Sequence, residues 1–248
     1  MRDSKFKRFL IPIYESLYFF VDNFSNWIVL RTKYRLHIMN SIQTIRYIKK
    51  NHCSIARYGD GELSFALNIE HEIAFQNSSD ALSKGLKDVL QECDNPKLLL
   101  CMPHYLNSLK GCTAKCKRYW WEWGKANQHQ RMVVNQIRAL TGKDYRFGDS
   151  LITRPYMDRQ DCFYAEKVFA GLKTLWQNEH ILIVEGEQTR LGVGNDLFAD
   201  ASTIERILCP ATNAFDRYAE IKEAVLRHYT GQMVILALGP TATVLAAD

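Results

Sequence analysis

The sequence predicts an α/β fold with a Rossmann-like, largely parallel sheet flanked by helices. Three observations carry this. Short apolar runs without alternation, KLLLCM at 97–102, HILIVE at 180–185 and QMVILAL at 232–238, read as strands buried on both faces. Segments of helical periodicity separate them, which sets successive strands parallel. Polar, glycine-bearing segments follow three of the strands, at the ends where such sheets gather ligands.

The elements follow in order. Basic residues at 2, 5, 7 and 8 precede FLIPIYESLYFFVDNFSNWIVL. Glu15, Asp22, Asn23 and Asn26 interrupt this run, Pro12 would break its helix, and no small-residue cleavage site follows, so it makes a poor membrane span and a poor secretory signal. Residues 1–40 are read as an added N-terminal aromatic and basic helical segment, and 41–248 as the main domain. Two readings of 1–35 stand: an interfacial helix making peripheral membrane contact, or a helix packed on its own domain or on a partner subunit.

A helix is expected over 41–50, then a strand in CSIARY at 53–58, which stops at Gly59-Asp60-Gly61. A helix begins near Glu62, and another covers 79–93 after a Ser/Asp start. Pro96 precedes the strand at 97–102. The stretch 114–140 reads as one long helix with Trp120, Trp121, Trp123, Val133, Val134, Ile137 and Leu140 inward. Then come a helix at 161–177, strands at 180–185 and 205–210, a helix at 216–229, and the strand at 232–238 running into a helix start at Gly239-Pro240-Thr241.

Bulk properties narrow the function. Apolar content of 47% and charged content of 24% are those of a globular chain, not a disordered one. A net charge of +5 suits anionic small molecules and, with no RNA-binding signature or basic arm, points away from nucleic acid. The seven cysteines are scattered, several within apolar runs, and Cys112-x3-Cys116 has no second pair at zinc spacing. Free thiols of this kind belong to a reducing compartment, so a cytoplasmic location is expected.

Four segments carry candidate chemistry. In Arg57-Tyr58-Gly59-Asp60-Gly61-Glu62, two carboxylates two residues apart at a strand's exit suit one divalent cation bridging a diphosphate; Gly59 and Gly61 admit phosphate, and Arg57 adds charge. The alternative is a plain Asp-Gly turn. The segment from Glu185 through Glu187, Arg190 and Gly194 to Asn195 and Asp196 mixes acids, a base and an amide suited to ribose, sugar and phosphate; otherwise it is a solvated loop with a helix cap. Thr241 and Thr243 at a helix start are either phosphate donors or simple caps. Arg154, beside Pro155, is either an anion ligand or a partner of Asp149 or Asp158. The Tyr119–Trp123 cluster either stacks on a sugar acceptor or packs in the core.

Taken in order, ARYGDGE at 56–62, FGDSLITRPYMD at 147–158, ILIVEGEQTRLGVGNDLF at 181–198, RILCPATNAF at 206–215 and LALGPTATVLAAD at 236–248 resemble the GT-D-type glycosyltransferase domain of bacterial glycan-assembly proteins. The resemblance implies a UDP-sugar donor, with UDP-glucose the best-known case. It also implies a D-x-E metal motif served by Mn2+ or Mg2+, and transfer of a hexose to a glycan acceptor on a protein or lipid carrier. Asp60 and Glu62 become the metal and diphosphate ligands. Arg57, Arg154 and Arg190 become phosphate or sugar contacts, while Glu185, Asn195 and Asp196 line the donor site. Thr241 and Thr243 approach the phosphates. Glu185 and Glu187 are the nearest candidates for a catalytic carboxylate. Family members continue past this last helix into a further strand, so the 41–248 domain is expected to lack its C-terminal end. Two other readings stay open: a metal-dependent nucleotidyl- or phosphoryl-transferase, and a non-catalytic scaffold of a glycan-assembly complex. Homo-oligomerisation stays open as well.

Overall fold

The computed structural model describes residues 35–69, 73–124 and 128–248; the N-terminal segment of residues 1–34 and the side chain of Trp121 lie outside the described residues. The chain begins with β1 (His37–Ile38), α1 (Ser41–Asn51), β2 (Ser54–Arg57), α2 (Asp60–Ala66), α3 (Asp80–Gln91), β3 (Leu98–Met102), α4 (Ala114–Gly124) and α5 (Gln128–Thr141). It continues with β4 (Arg146–Asp149), α6 (Cys162–Trp176), β5 (His180–Gly186), β6 (Thr203–Cys209), α7 (Tyr218–His228), β7 (Met233–Ala237) and α8 (Pro240–Leu245).

Among the described residues the strands form two sheets, in order β1-β4-β3-β2 and β6-β5-β7, and every pairing is parallel. The two most apolar runs sit where two neighbours cover them. All of β3 is buried, and so is β5 after His180. β6, on an edge, leaves Ile204 and Leu208 exposed. From β5 the chain steps to β6 on one side and then returns as β7 on the other, so the order reverses at β5. Such a reversal opens a crevice at the carboxyl ends of the strands.

The helix starts follow from their caps. Asn40 and Gln43 exchange side-chain and backbone bonds of 2.9 and 3.1 Å before α1, while Ser79 and Asp161 cap α3 and α6. The stretch expected as one helix at 114–140 is observed as α4 and α5 on either side of residues 125–127, which are not described. Val133, Val134 and Ile137 are buried as expected, with Trp120, Trp123 and Leu140 packed against the same core.

The strand β4, RFGD, was not anticipated. It carries no apolar alternation and forms because β3 and β1 offer ladders on its two sides. Gly148 belongs there for a packing reason: a Cβ would stand 2.5 Å from Cys101 Sγ and 2.9 Å from Thr44 Cγ2. A second cluster, with Ile45, Val168, Leu172, Ile181 and Ile183 at its centre, also takes in Ile55 of β2 and Ile235 of β7, so one apolar layer spans both sheets.

Candidate functional site

The acidic turn is built from the exit of β2. Tyr58 is wholly buried, with its hydroxyl donating to Leu86 O at 2.7 Å, and this fixes where the strand ends. The chain then turns directly into α2, so Asp60 and Glu62 both fall in the first helical turn, where backbone N–H groups favour negative charge. Gly61 is needed because a Cβ there would collide with Ile73.

The two carboxylates are held differently. Glu62 Oε2 accepts from Gly59 N at 2.8 Å, folding back over its own helix start. Burial pushes its pKa up, and this outweighs the lowering by its own amide, the Gly59 amide and the Arg57 guanidinium. Asp60 Oδ2 accepts from the hydroxyl of Tyr119 on α4. Arg57 donates from Nε to Ser150 O at 2.7 Å, which orients the guanidinium. Loss of surrounding water draws its pKa down, against the pull of Glu62. Arg154 lies close enough to be felt by both Arg57 and Tyr119, and contacts Asp158 at 3.4 Å. Arg57, Asp60, Glu62 and Arg154 therefore form one neighbourhood.

Asp60 and Glu62 offer the oxygen donors that Mg2+ or Mn2+ prefers. The donors are hard carboxylate oxygens, and no group of three or more His, Cys, Asp or Glu side chains poised for a metal exists among the described residues. Two carboxylates completed by phosphate oxygens are the usual protein share of such a nucleotide-bound site.

A pocket of about 230 Å3 lies over the carboxyl ends of the second sheet, at the reversal of strand order. Gly186, Thr189, Ala211, Gly239, Phe75 and Gln76 are among its walls. The Phe75–Asn77 stretch is tied across the top by Asn213 N to Phe75 O and by Asn77 N to Asn213 Oδ1, both 2.8 Å. Gly239 has φ +58, and its missing side chain makes room for the Phe75 ring. Because Ile73 sits on Gly61 and Phe75 on Gly239, one segment joins the acidic turn to the pocket.

Several expected site residues are placed elsewhere. Glu185 is 1% exposed and engaged at both oxygens, one by Leu191 N at 2.7 Å and the other by the Arg206 guanidinium. It anchors the loop after β5 through these two bonds. Glu187 is exposed and donates its amide to Cys209 O, and Arg190 and Gly194 are exposed with positive φ. Asp196 pairs with Lys173 of α6, and Asn195 caps Leu197 N at 3.0 Å. None of these six lines the pocket. Of the expected phosphate donors, Thr243 gives its hydroxyl to Arg57 O at 2.7 Å and Thr241 to Gln76 Oε1 at 3.4 Å, both within the buried interior. Arg57, Gly59, Asp60, Gly61, Glu62 and Arg154 remain together. Phe75, Gln76, Pro210, Ala211 and Ala214 were missed; the last three lie in the RILCPATNAF run, whereas no local pattern marks the first two.

Comparison with known proteins agrees with this architecture. The profile of the glycosyltransferase GT-D fold matches residues 55–248. The glycosyltransferase GlyD of Streptococcus pneumoniae is 32% identical over 82% of this chain and 24% of its own length. The probable glycosyl transferase Gly of Streptococcus gordonii is 33% identical over 86% and 30%. The chain thus spans less than a third of either relative. A solved structure of the domain of unknown function 1792, described as having a distinct glycosyltransferase fold, superposes with a TM-score of 0.77 at 33% identity, covering 91% of this chain and 77% of that one. A glycosyltransferase of the same domain type from Streptococcus sanguinis gives 0.76 at 31% identity, covering 85% and 76%. With a parallel α/β core, an acidic turn closing β2 and a profile match over most of its length, this chain belongs to the GT-D glycosyltransferase fold family.

Proposed function

We propose that this chain transfers a hexose, with glucose the expected sugar, from a UDP-sugar to a glycan acceptor carried on a protein or lipid. The observation that carries the reading is the acidic turn: Asp60 and Glu62 both lie in the first helical turn after β2, with Arg57 and Arg154 near enough to act on the same neighbourhood. Asp60 and Glu62 would hold Mn2+ or Mg2+, which when bound offsets charge on the departing diphosphate. Arg57, fixed by Ser150 O, supplies permanent positive charge to the same anion. The pocket at the reversal of strand order stands where open parallel sheets take up ligands, which supports it as the nucleotide's place. Family membership and the names of the two streptococcal relatives support transfer chemistry of this class.

The test is donor turnover by the purified chain, read as UDP release from UDP-glucose with and without Mn2+. Asp60→Asn and Glu62→Gln are each expected to cut it by at least about 100-fold while the fold is kept. Undiminished turnover in both variants defeats the assignment. Preferential metal-dependent binding of ATP over UDP-glucose in a parallel titration favours a nucleotidyl- or phosphoryl-transferase instead.

A further inference from the structure

We infer that Tyr119 is a positioning residue for the cation site, orienting the Asp60 carboxylate from the neighbouring helix; this rests on Asp60 being a metal ligand. α4 is stitched to the first turn of α2 at two points. One is the Tyr119 hydroxyl on Asp60 Oδ2. The other is Trp123 Nε1 donating to Ser64 Oγ at 3.3 Å, where Ser64 in turn donates to Asp60 O at 2.6 Å. Aromatic packing sets the reach of Tyr119: its ring meets Trp120 edge-on at 6.1 Å, and Trp120 packs at 5.1 Å against both Tyr105 and Trp123.

Spacing explains the division of labour. Tyr119 and Trp123 are four apart, so they share the face of α4 turned to α2, and Trp120 turns into the core. Tyr119 is 42% exposed, so it is not part of the packed layer. A carboxylate oxygen accepts more than one partner, so a donor on Oδ2 fixes the plane of the group while leaving lone pairs for an ion. Hydrogen-bonded partners of ligating carboxylates typically contribute a factor of about 10–100 to metal affinity.

The experiment is Mn2+ titration of the full chain in the presence of UDP, read from the electron paramagnetic resonance of free Mn2+, alongside thermal unfolding. Tyr119→Phe is expected to weaken Mn2+ binding by about tenfold with an unchanged melting temperature and unchanged metal-free UDP affinity. Trp123→Phe, which breaks the other stitch, is expected to bind Mn2+ as the unaltered chain does, and Asp60→Asn to lose it. Equal or tighter Mn2+ binding by Tyr119→Phe overturns the inference while leaving Asp60 as a ligand. Equal weakening in Trp123→Phe also overturns it, because docking of the helix then explains the effect. Unchanged binding in Asp60→Asn, or none by the unaltered chain, sinks the metal assignment and the inference with it.

Discussion

Asp149 sits at the end of β4 with no exposed surface and takes hydrogen bonds from Ser41 Oγ at 2.6 Å, Leu151 N at 3.1 Å and His104 Nδ1 at 3.4 Å. Burial alone would raise its pKa, but the His104 contact and the other donors hold it below the usual 3.8. For His104, burial pulls down while the bonds to Asp149 and Cys112 raise it above 6.5 overall. The depressed carboxyl stabilises the fold above its unfolded value, and that support is lost as pH falls through the folded pKa. The raised imidazole contributes fully below pH 6.5 and loses its share as pH rises through its own folded value. The pair is strongest between those limits. Asp149→Asn is expected to cost about 3 kcal/mol there, read by urea unfolding at a series of pH values, with the gap to the unaltered chain narrowing at both extremes. Sequence alone named Asp149 only as a possible partner for Arg154. Its real partners come from positions 41 and 104, which only the folded sheet brings near.

At the scale of elements, the loop from Glu187 to Phe198 depends on one ion pair. Arg206 stands opposite Ile183 in the β5–β6 register, so it reaches diagonally to Glu185 on the same face and also donates to Leu191 O at 2.8 Å. Arg206→Met leaves a buried carboxylate without its cation. The expected loss is about 3 kcal/mol by chemical unfolding, with faster proteolytic cleavage within 187–198. This pair also shows why part of the site was illegible. Polar residues after a strand look alike in sequence whether they face a ligand or brace a loop, and the register that decides lies twenty residues downstream. β3, β5 and β7 were legible because each is an unbroken apolar run, and β2 because a glycine turn ends it. The acidic turn was legible because glycines flank it at a strand's exit. β4 was not, since its neighbours and not its composition make it a strand.

At the scale of the molecule, the pocket depends on the meeting of Phe75 with Gly239 from opposite ends of the chain. Gly239→Ala adds a methyl where the ring lies and forces a side chain into a positive-φ backbone that L-residues avoid. It is expected to lower stability by about 1–3 kcal/mol. The displaced ring should also weaken UDP binding by about tenfold in calorimetric titration. Unaltered UDP affinity in a folded variant would move the nucleotide out of this pocket.

α8 has a place in both halves of this arrangement. Its N-terminal neighbour Gly239 walls the hollow, while Thr241 holds Gln76 and Thr243 holds the last carbonyl of β2. Those hydroxyls tie the helix that follows β7 to the end of β2, and so one sheet to the other. Six residues act as the keystone of the notch, bracing its wall from within the core.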